Sequence, residues 1–549
     1  MRNGLIGRLW ESFSAVGLLT GTLFFAASLT PSLVPRNFAT QGVLSGCALA
    51  VGYGIGVFGL WLWNYLQLPK PGQKVARAIK LATTGLFAVV AIAFLWRASE
   101  WQNSIRLLME LEPVDSAHPT KVGLIALAVF ATLMIVARAF QLTFRVASRN
   151  IGRFAPRPVS NLVGVVIAGL LFWSIADGLL FRAALHMADT SFQKLDALIE
   201  DDTRQPTDPN KTGSAASLLD WRGLGRAGRQ YVATGPSRAS IGTFLGADAL
   251  EPIRVYAGLN SAKTPQERAR LALDELKRVG GFDRSVLIIV TPTGTGWVDP
   301  AAMDPVEYLL RGDVASVALQ YSYLSSWLSL LVEPDYGREA AHALFREVYE
   351  YWRQLPRDRR PKLYLHGLSL GALNSDLSAD LFDVIGDPFQ GALWSGPPFL
   401  SKTWTSVTRD RDPESPFWLP RFRDGSIIRF TAQKDALSIP GASWGPVRIV
   451  FLQYASDAVT FFDPMAFYRM PEWMAEPRGP DVSPQLRWYP VVTFLQLLLD
   501  MAMATTTPMG YGHVYAPQHY IDAWVEVLGI TDWPAGDIER LKAKFKERT

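Results

Sequence analysis

Hydrophobic and polar positions are spread unevenly along the chain. Before residue 183, five apolar stretches follow one another, over residues 13–34, 39–68, 81–96, 122–137 and 158–176, and none contains Asp, Glu, Lys or Arg. A helix needs about 20 apolar residues to cross the hydrocarbon of a bilayer, with a lower range near 17. The third and fourth are slightly short, and Lys80, Arg97, Lys121 and Arg138 at their ends can reach the interface and extend them. One such stretch would fit a buried soluble helix, but five separated by short charged loops predict a membrane-spanning helical region. Past residue 218 the pattern alternates instead. Strands are predicted at 253–256, 285–290, 314–321, 362–365, 392–395, 427–430 and 447–454, with helices opening at Thr264-Pro265 and over 337–355. Strands separated by helices predict a mostly parallel sheet covered on both faces. A further apolar segment, 490–503, is interrupted by Asp500 and reads as a buried helix of the sheet domain.

The polar, turn-rich residues 198–218 separate the two patterns. The expected division is a helical membrane domain over 1–197, a linker over 198–218 and a catalytic domain over 219–549. Charge gives the helical part an orientation. Arg2 and Arg8 precede the first stretch, Lys70, Lys74, Arg77 and Lys80 follow the second, and Arg138, Arg145, Arg149, Arg153 and Arg157 lie between the fourth and fifth. The alternate loops are poorer in basic residues or mixed with acids. The positive-inside bias puts the N-terminus in the cytoplasm. Five crossings then place the second half outside, at the inner membrane of a bacterial cell.

Composition narrows the rest. The chain is 49% hydrophobic, with a net charge of only +4 over 549 residues and no basic run interleaved with aromatics, so nucleic acid is not an expected partner. A single cysteine, Cys47, excludes an intrachain disulfide and any cysteine-based metal site. His118, His186 and His342 do not cluster with carboxylates at ligand spacing, so neither a metal nor another cofactor is expected.

The strongest chemical signal is LYLHGLSLGA over residues 363–372. A short apolar run, then Gly367-Leu368-Ser369-Leu370-Gly371, then a helix start has the form of a nucleophile elbow, which lifts the Ser369 hydroxyl out of a sharp strand-to-helix turn. A serine nucleophile needs a base oriented by a carboxylate, in the chain order serine, acid, histidine. Two histidines follow, His513 in a glycine-rich loop and His519 at a helix start; His513 is the expected base. Asp457, beyond the 447–454 strand, is the expected acid, with Asp435 as the alternative. The oxyanion requires two backbone donors. Leu370 is the first, and the glycine-rich loop after the 285–290 strand supplies Thr293 and Gly294 for the second. His366, inside a strand, reads as a packed residue.

With the elbow, Asp457 and His513 in this order, the second half resembles the α/β-hydrolase superfamily. The segments 291–297 (TPTGTGW), 319–323 (LQYSY), 366–371 (HGLSLG), 453–457 (QYASD) and 29–35 (LTPSLVP) make the whole chain similar to the bacterial membrane-anchored α/β-hydrolase family. The resemblance implies an α/β-hydrolase domain with Ser369 as nucleophile. The expected activity is cleavage of a lipid or acyl ester, that of a carboxylic ester hydrolase. Insertions over 397–423 and 471–490 carry Trp404, Phe417, Trp418, Trp473, Trp488 and Tyr489. They would either cap an acyl pocket or pack the domain. An acyltransferase using the same acyl-Ser369 intermediate, and a non-catalytic membrane scaffold or transport component, are the alternatives.

Overall fold

The computed structural model describes residues 13–69, 72–174, 203–323 and 334–547. Arg2, Arg8, Lys70 and His186 lie outside them. The described chain forms two compact units. The first contains the N-terminal helices together with Asp463–Ala475 and Pro480–Met503; the second contains the sheet together with Glu476–Gly479 and the C-terminal residues from Ala504.

In the first unit the chain runs through α1 (Ala15–Ser28), α2 (Phe38–Tyr65), α3 (Gln73–Arg106), α4 (Pro119–Ile151) and α5 (Arg157–Trp173). Small residues let these helices approach closely, as in packed membrane helices. A Cβ at Gly46 of α2 would lie 2.7 Å from the Ala126 carbonyl of α4, and one at Gly56 would lie 2.1 Å from Thr20 Oγ1 of α1. Among the described residues, three helical stretches are long and apolar enough to cross a membrane: Phe38–Tyr65, Leu81–Met109 and Pro119–Ile151. Only 6% of the apolar window of the second and 17% of that of the third are buried. Their apolar surface thus faces outward, as lipid contact would require.

The expectation of five spans is corrected to three such helices among the described residues. The 13–34 stretch forms a helix of only 14 residues. At about 1.5 Å per residue, α1 falls short of the roughly 30 Å of hydrocarbon. The chain then unwinds at Leu29 while staying buried as far as Val34. Arg36 explains how. Its guanidinium turns back onto the end of α1, donating from Nη1 to the Ser28 carbonyl (3.2 Å) and from Nη2 to the Thr30 carbonyl (3.2 Å) and Ser32 Oγ (2.6 Å). A cation thereby meets carbonyls that a helix terminus leaves unpaired. α5 has 17 residues, and the last two positions of the 158–176 stretch lie outside the described residues.

A later segment belongs to this unit too. α6 (Val492–Ala502) was expected to serve the sheet domain, but it groups with the N-terminal helices. Asp500 Oδ2 accepts from the Leu33 amide (2.8 Å), its Oδ1 lies 3.8 Å from Arg36 Nε, and Gln496 Nε2 donates to the Thr30 carbonyl (3.0 Å). The charge that interrupts the apolar run is therefore the partner of a buried arginine.

The second unit is built on seven parallel strands: β1 (Ile253–Ala257), β2 (Val286–Thr291), β3 (Val314–Leu319), β4 (Lys362–Leu368), β5 (Gly391–Ser395), β6 (Ile428–Thr431) and β7 (Arg448–Leu452). The sheet order is β1-β3-β2-β4-β5-β7-β6. Runs such as VLIIVT in β2 are buried throughout, as expected where helices cover both faces. β4 sits at the centre. Ligands of open parallel sheets bind outside the carboxyl ends of their strands, and the 363–372 elbow leaves β4 at that end.

Candidate active site

The 363–372 segment is a sharp strand-to-helix turn. β4 ends at Leu368 and a short helix, Leu370–Asp376, begins two residues on. Ser369 between them adopts φ +58°, ψ −125°, a region a side-chain-bearing residue occupies at a cost of about 1–3 kcal/mol. Its flanking glycines are spatial requirements. A Cβ at Gly367 would lie 2.3 Å from Gly371 C, and one at Gly371 would lie 2.2 Å from the Thr291 carbonyl at the end of β2. The same closeness sets the 291–297 loop beside the elbow.

Asp457, five residues beyond β7, is fully buried. Its Oδ1 accepts from the amides of Val459 (2.8 Å) and Thr460 (3.4 Å), and its Oδ2 accepts from Thr460 Oγ1 (3.2 Å). His513 reaches it from the glycine-rich loop: Nδ1 stands 2.7 Å from Asp457 Oδ2. The residues just before them are joined as well, the Gly512 amide donating to Ser456 Oγ (2.9 Å). His513 Nε2, the opposite ring nitrogen, is buried and makes no hydrogen bond.

Ser369 is tied to the same place through β5. Its amide donates to the Ser395 carbonyl (2.9 Å). The next residue, Gly396, has φ +51°, and a Cβ there would lie 2.7 Å from His513 Cε1. The imidazole thus rests on backbone one residue removed from the partner of Ser369. Asp457 and His513 are directly paired; Ser369 Oγ and Nε2 are not hydrogen-bonded to each other in this conformation. Contacts of that kind commonly close only when substrate binds.

The other candidates fall elsewhere. Asp435 Oδ1 accepts from the Leu437 amide two residues on (3.0 Å), closing a local turn. His519 Nδ1 pairs with the Tyr454 hydroxyl (2.6 Å), and burial lowers its pKa to about 4. Burial likewise brings His366 down to about 4, with Nδ1 against the Leu393 carbonyl (2.8 Å). Both rings are therefore neutral near pH 7.

Of the oxyanion donors, Leu370 is the first residue of its helix, and its amide makes no hydrogen bond among the described residues. Thr293 differs from expectation. Its amide is spent inside the loop on the Trp297 carbonyl (3.0 Å), while the Gly296 amide returns to the Thr293 carbonyl (2.9 Å), so a tight turn consumes the donor. Tyr256 of β1 fixes this turn by donating to the Gly296 carbonyl (2.6 Å). Gly294 lies in the same turn.

Two residues beside the pair carry no sequence signal. Tyr515 donates from its hydroxyl to Asp457 Oδ2 (2.6 Å). Asp299 caps the helix Pro300–Leu309 by accepting from the Ala301 amide (2.9 Å), and burial pushes its pKa up to about 7. Trp404 is buried, donates to Gln453 Oε1 (2.6 Å) and packs on Phe417 and Phe461, so this insertion is packed onto the segment that follows β7. No group of three potential metal ligands occurs among the described residues.

Comparison with known proteins agrees with this architecture. A family described as "Alpha/beta-hydrolase family" matches residues 253–541, and its companion, "Alpha/beta-hydrolase family N-terminus", matches residues 29–236. No curated protein matches. A solved structure described as "RedJ with PEG molecule bound in the active site" is 20% identical, covering 31% of this chain and 79% of that one. Its TM-score of 0.17 is too low to bear on the fold.

Proposed function

Because this chain belongs to the alpha/beta-hydrolase family, we propose that it is a membrane-associated serine hydrolase that cleaves an acyl ester through an acyl-Ser369 intermediate. The observation that carries the reading is the buried His513–Asp457 pair at 2.7 Å, seated on Gly396 beside a serine held at φ +58°. His513 Nε2 takes the Ser369 hydroxyl proton as Oγ bonds to the ester carbonyl carbon. Asp457 holds the ring in the required tautomer and offsets the imidazolium charge. The Leu370 amide meets the oxyanion. Collapse breaks the ester C–O bond, and Nε2–H protonates the departing alkoxide. Water then repeats the sequence on the acyl-serine and releases the free acid.

Three helices of membrane-spanning length and apolarity favour a substrate met at a bilayer, hence a lipid or another acylated amphiphile. The test is labelling of membranes with a fluorophosphonate, which phosphonylates an activated serine. Label on wild type and none on Ser369→Ala is the expected result. Equal labelling of both would remove Ser369 as nucleophile. Release of free fatty acid from a short-chain ester, dependent on Ser369, completes the assignment.

A further inference from the structure

We propose that Tyr515 is a positioning residue of this hydrolase, its hydroxyl sharing Asp457 Oδ2 with His513 and so setting how strongly the acid holds the imidazolium. The inference rests on the reading of Ser369, Asp457 and His513 as a triad. The phenol stands 2.6 Å from Oδ2, against 2.7 Å for the imidazole Nδ1, and all three side chains are buried. Tyr515 is itself held. Its ring stacks on Tyr454 at 4.5 Å, and the Tyr454 hydroxyl accepts from the Ala516 amide (3.0 Å).

Hydrogen bonds to a charged acceptor are the strong ones, and each disperses part of the carboxylate's charge. A carboxylate whose charge is shared with a phenol attracts an adjacent imidazolium less. The base then stays unprotonated, and able to act, to lower pH. The phenol also occupies the lone-pair region through which the carboxylate could rotate away from the ring. Other ionisable groups near the pair are Tyr454 and Tyr520, which act on Tyr515, and Asp299 on the 291–299 loop, which is within electrostatic reach of His513.

The experiment is the fluorophosphonate labelling rate of Ser369 against pH, for full-length wild type and Tyr515→Phe in detergent. The acid limb of the Phe variant should move to higher pH by about half a unit to one unit, a three- to tenfold slower rate on that limb. Repeating both in the Asp299→Asn background keeps the titration of Asp299 out of the limb. Should Tyr515→Phe fail to fold, 3-fluorotyrosine placed at 515 keeps the shape and strengthens the donor, and the limb should move to lower pH. A folded variant slowed equally at every pH, with its limb unmoved, would make Tyr515 a packing residue and overturn the proposal. Wild type without Ser369-dependent labelling would overturn the triad reading, and the inference with it.

Discussion

Ser369 is the residue on which most of the proposed chemistry converges, and substitutions around it separate the roles. Ser369→Ala and His513→Ala should each lower turnover of an acyl ester by roughly a millionfold, and Asp457→Asn by roughly ten-thousandfold, because members of such a unit are not additive. Asp435→Asn should be close to silent; a damaging Asp435→Asn with a mild Asp457→Asn would move the acid to the other site. Gly371→Ala should fail for a different reason, since its Cβ would meet the Thr291 carbonyl at 2.2 Å and neither backbone can yield cheaply. Its melting temperature, rather than its rate constant, is the measurement. Asp299 adds a pH dependence. Its folded pKa of about 7 lies above its ordinary 3.8, so the folded state binds the extra proton between those values and stability falls as pH rises through that window. Asp299→Asn should flatten this part of the slope between about pH 4 and 7 in thermal melts, and an unchanged slope would place the titration elsewhere. Ser369, Asp457 and His513 could be proposed from the sequence because each sits at the end of a recognisable strand or loop, in a fixed chain order. Tyr515 and Asp299 could not, because what marks them is a neighbour in space. Thr293 was misread because a glycine-rich loop gives no sign of whether its amides point outward or close its own turn.

At the scale of elements, apolar runs identified every strand of the sheet within a few residues, since a parallel strand buried on both faces is mostly apolar. The same logic overcounts spans, because apolarity alone does not reveal where a helix unwinds. Residues 29–34 belong to the same uncharged stretch as α1, yet leave the helix ahead of Pro31, and the Arg36 that caps it lies beyond the run. The count matters for topology. Basic residues cluster in the first turns of α3 and from the second half of α4 to just beyond it, so the positive-inside bias would put those two ends on the cytoplasmic side if both helices span. The compartment of the sheet then turns on whether the chain crosses once more after α4, and the outer placement proposed from the sequence requires that it does. In a Cys47→Ser background, a cysteine placed by Lys546→Cys near the C-terminus should react with an impermeant maleimide on intact cells. Reaction only after lysis would put the sheet in the cytoplasm. Within the helical unit, Gly46→Leu should prevent α2 and α4 from closing, because even a Cβ there meets the Ala126 carbonyl at 2.7 Å. A loss of detergent-resistant folded protein would show it.

The division of the whole molecule was the least legible feature. A polar linker invites the reading that everything after it is one domain. Instead, the chain leaves the sheet unit at Asp463, six residues past Asp457, and returns at Ala504, nine residues before His513. The segment between the proposed acid and base belongs largely to the helical unit, through contacts such as Asp500 with Leu33 and Gln496 with Thr30. No local pattern announces this, because the partners are more than 460 residues apart. It has a consequence for dissection. A fragment of residues 203–549 would keep all seven strands and all three proposed catalytic residues, but would expose α6 with Asp500 and Gln496 lacking their partners. A buried polar group deprived of its partner costs about 1–3 kcal/mol, and the bare apolar face adds a route to aggregation. The fragment should therefore be insoluble or unreactive toward fluorophosphonate, and co-expression of residues 1–202 should rescue it. A monomeric fragment that labels at the full-length rate would mean that the helical unit serves only to hold the enzyme at a membrane. Rescue would mean instead that the N-terminal helices help to place the acid and the base, by fixing the chain that runs from one to the other.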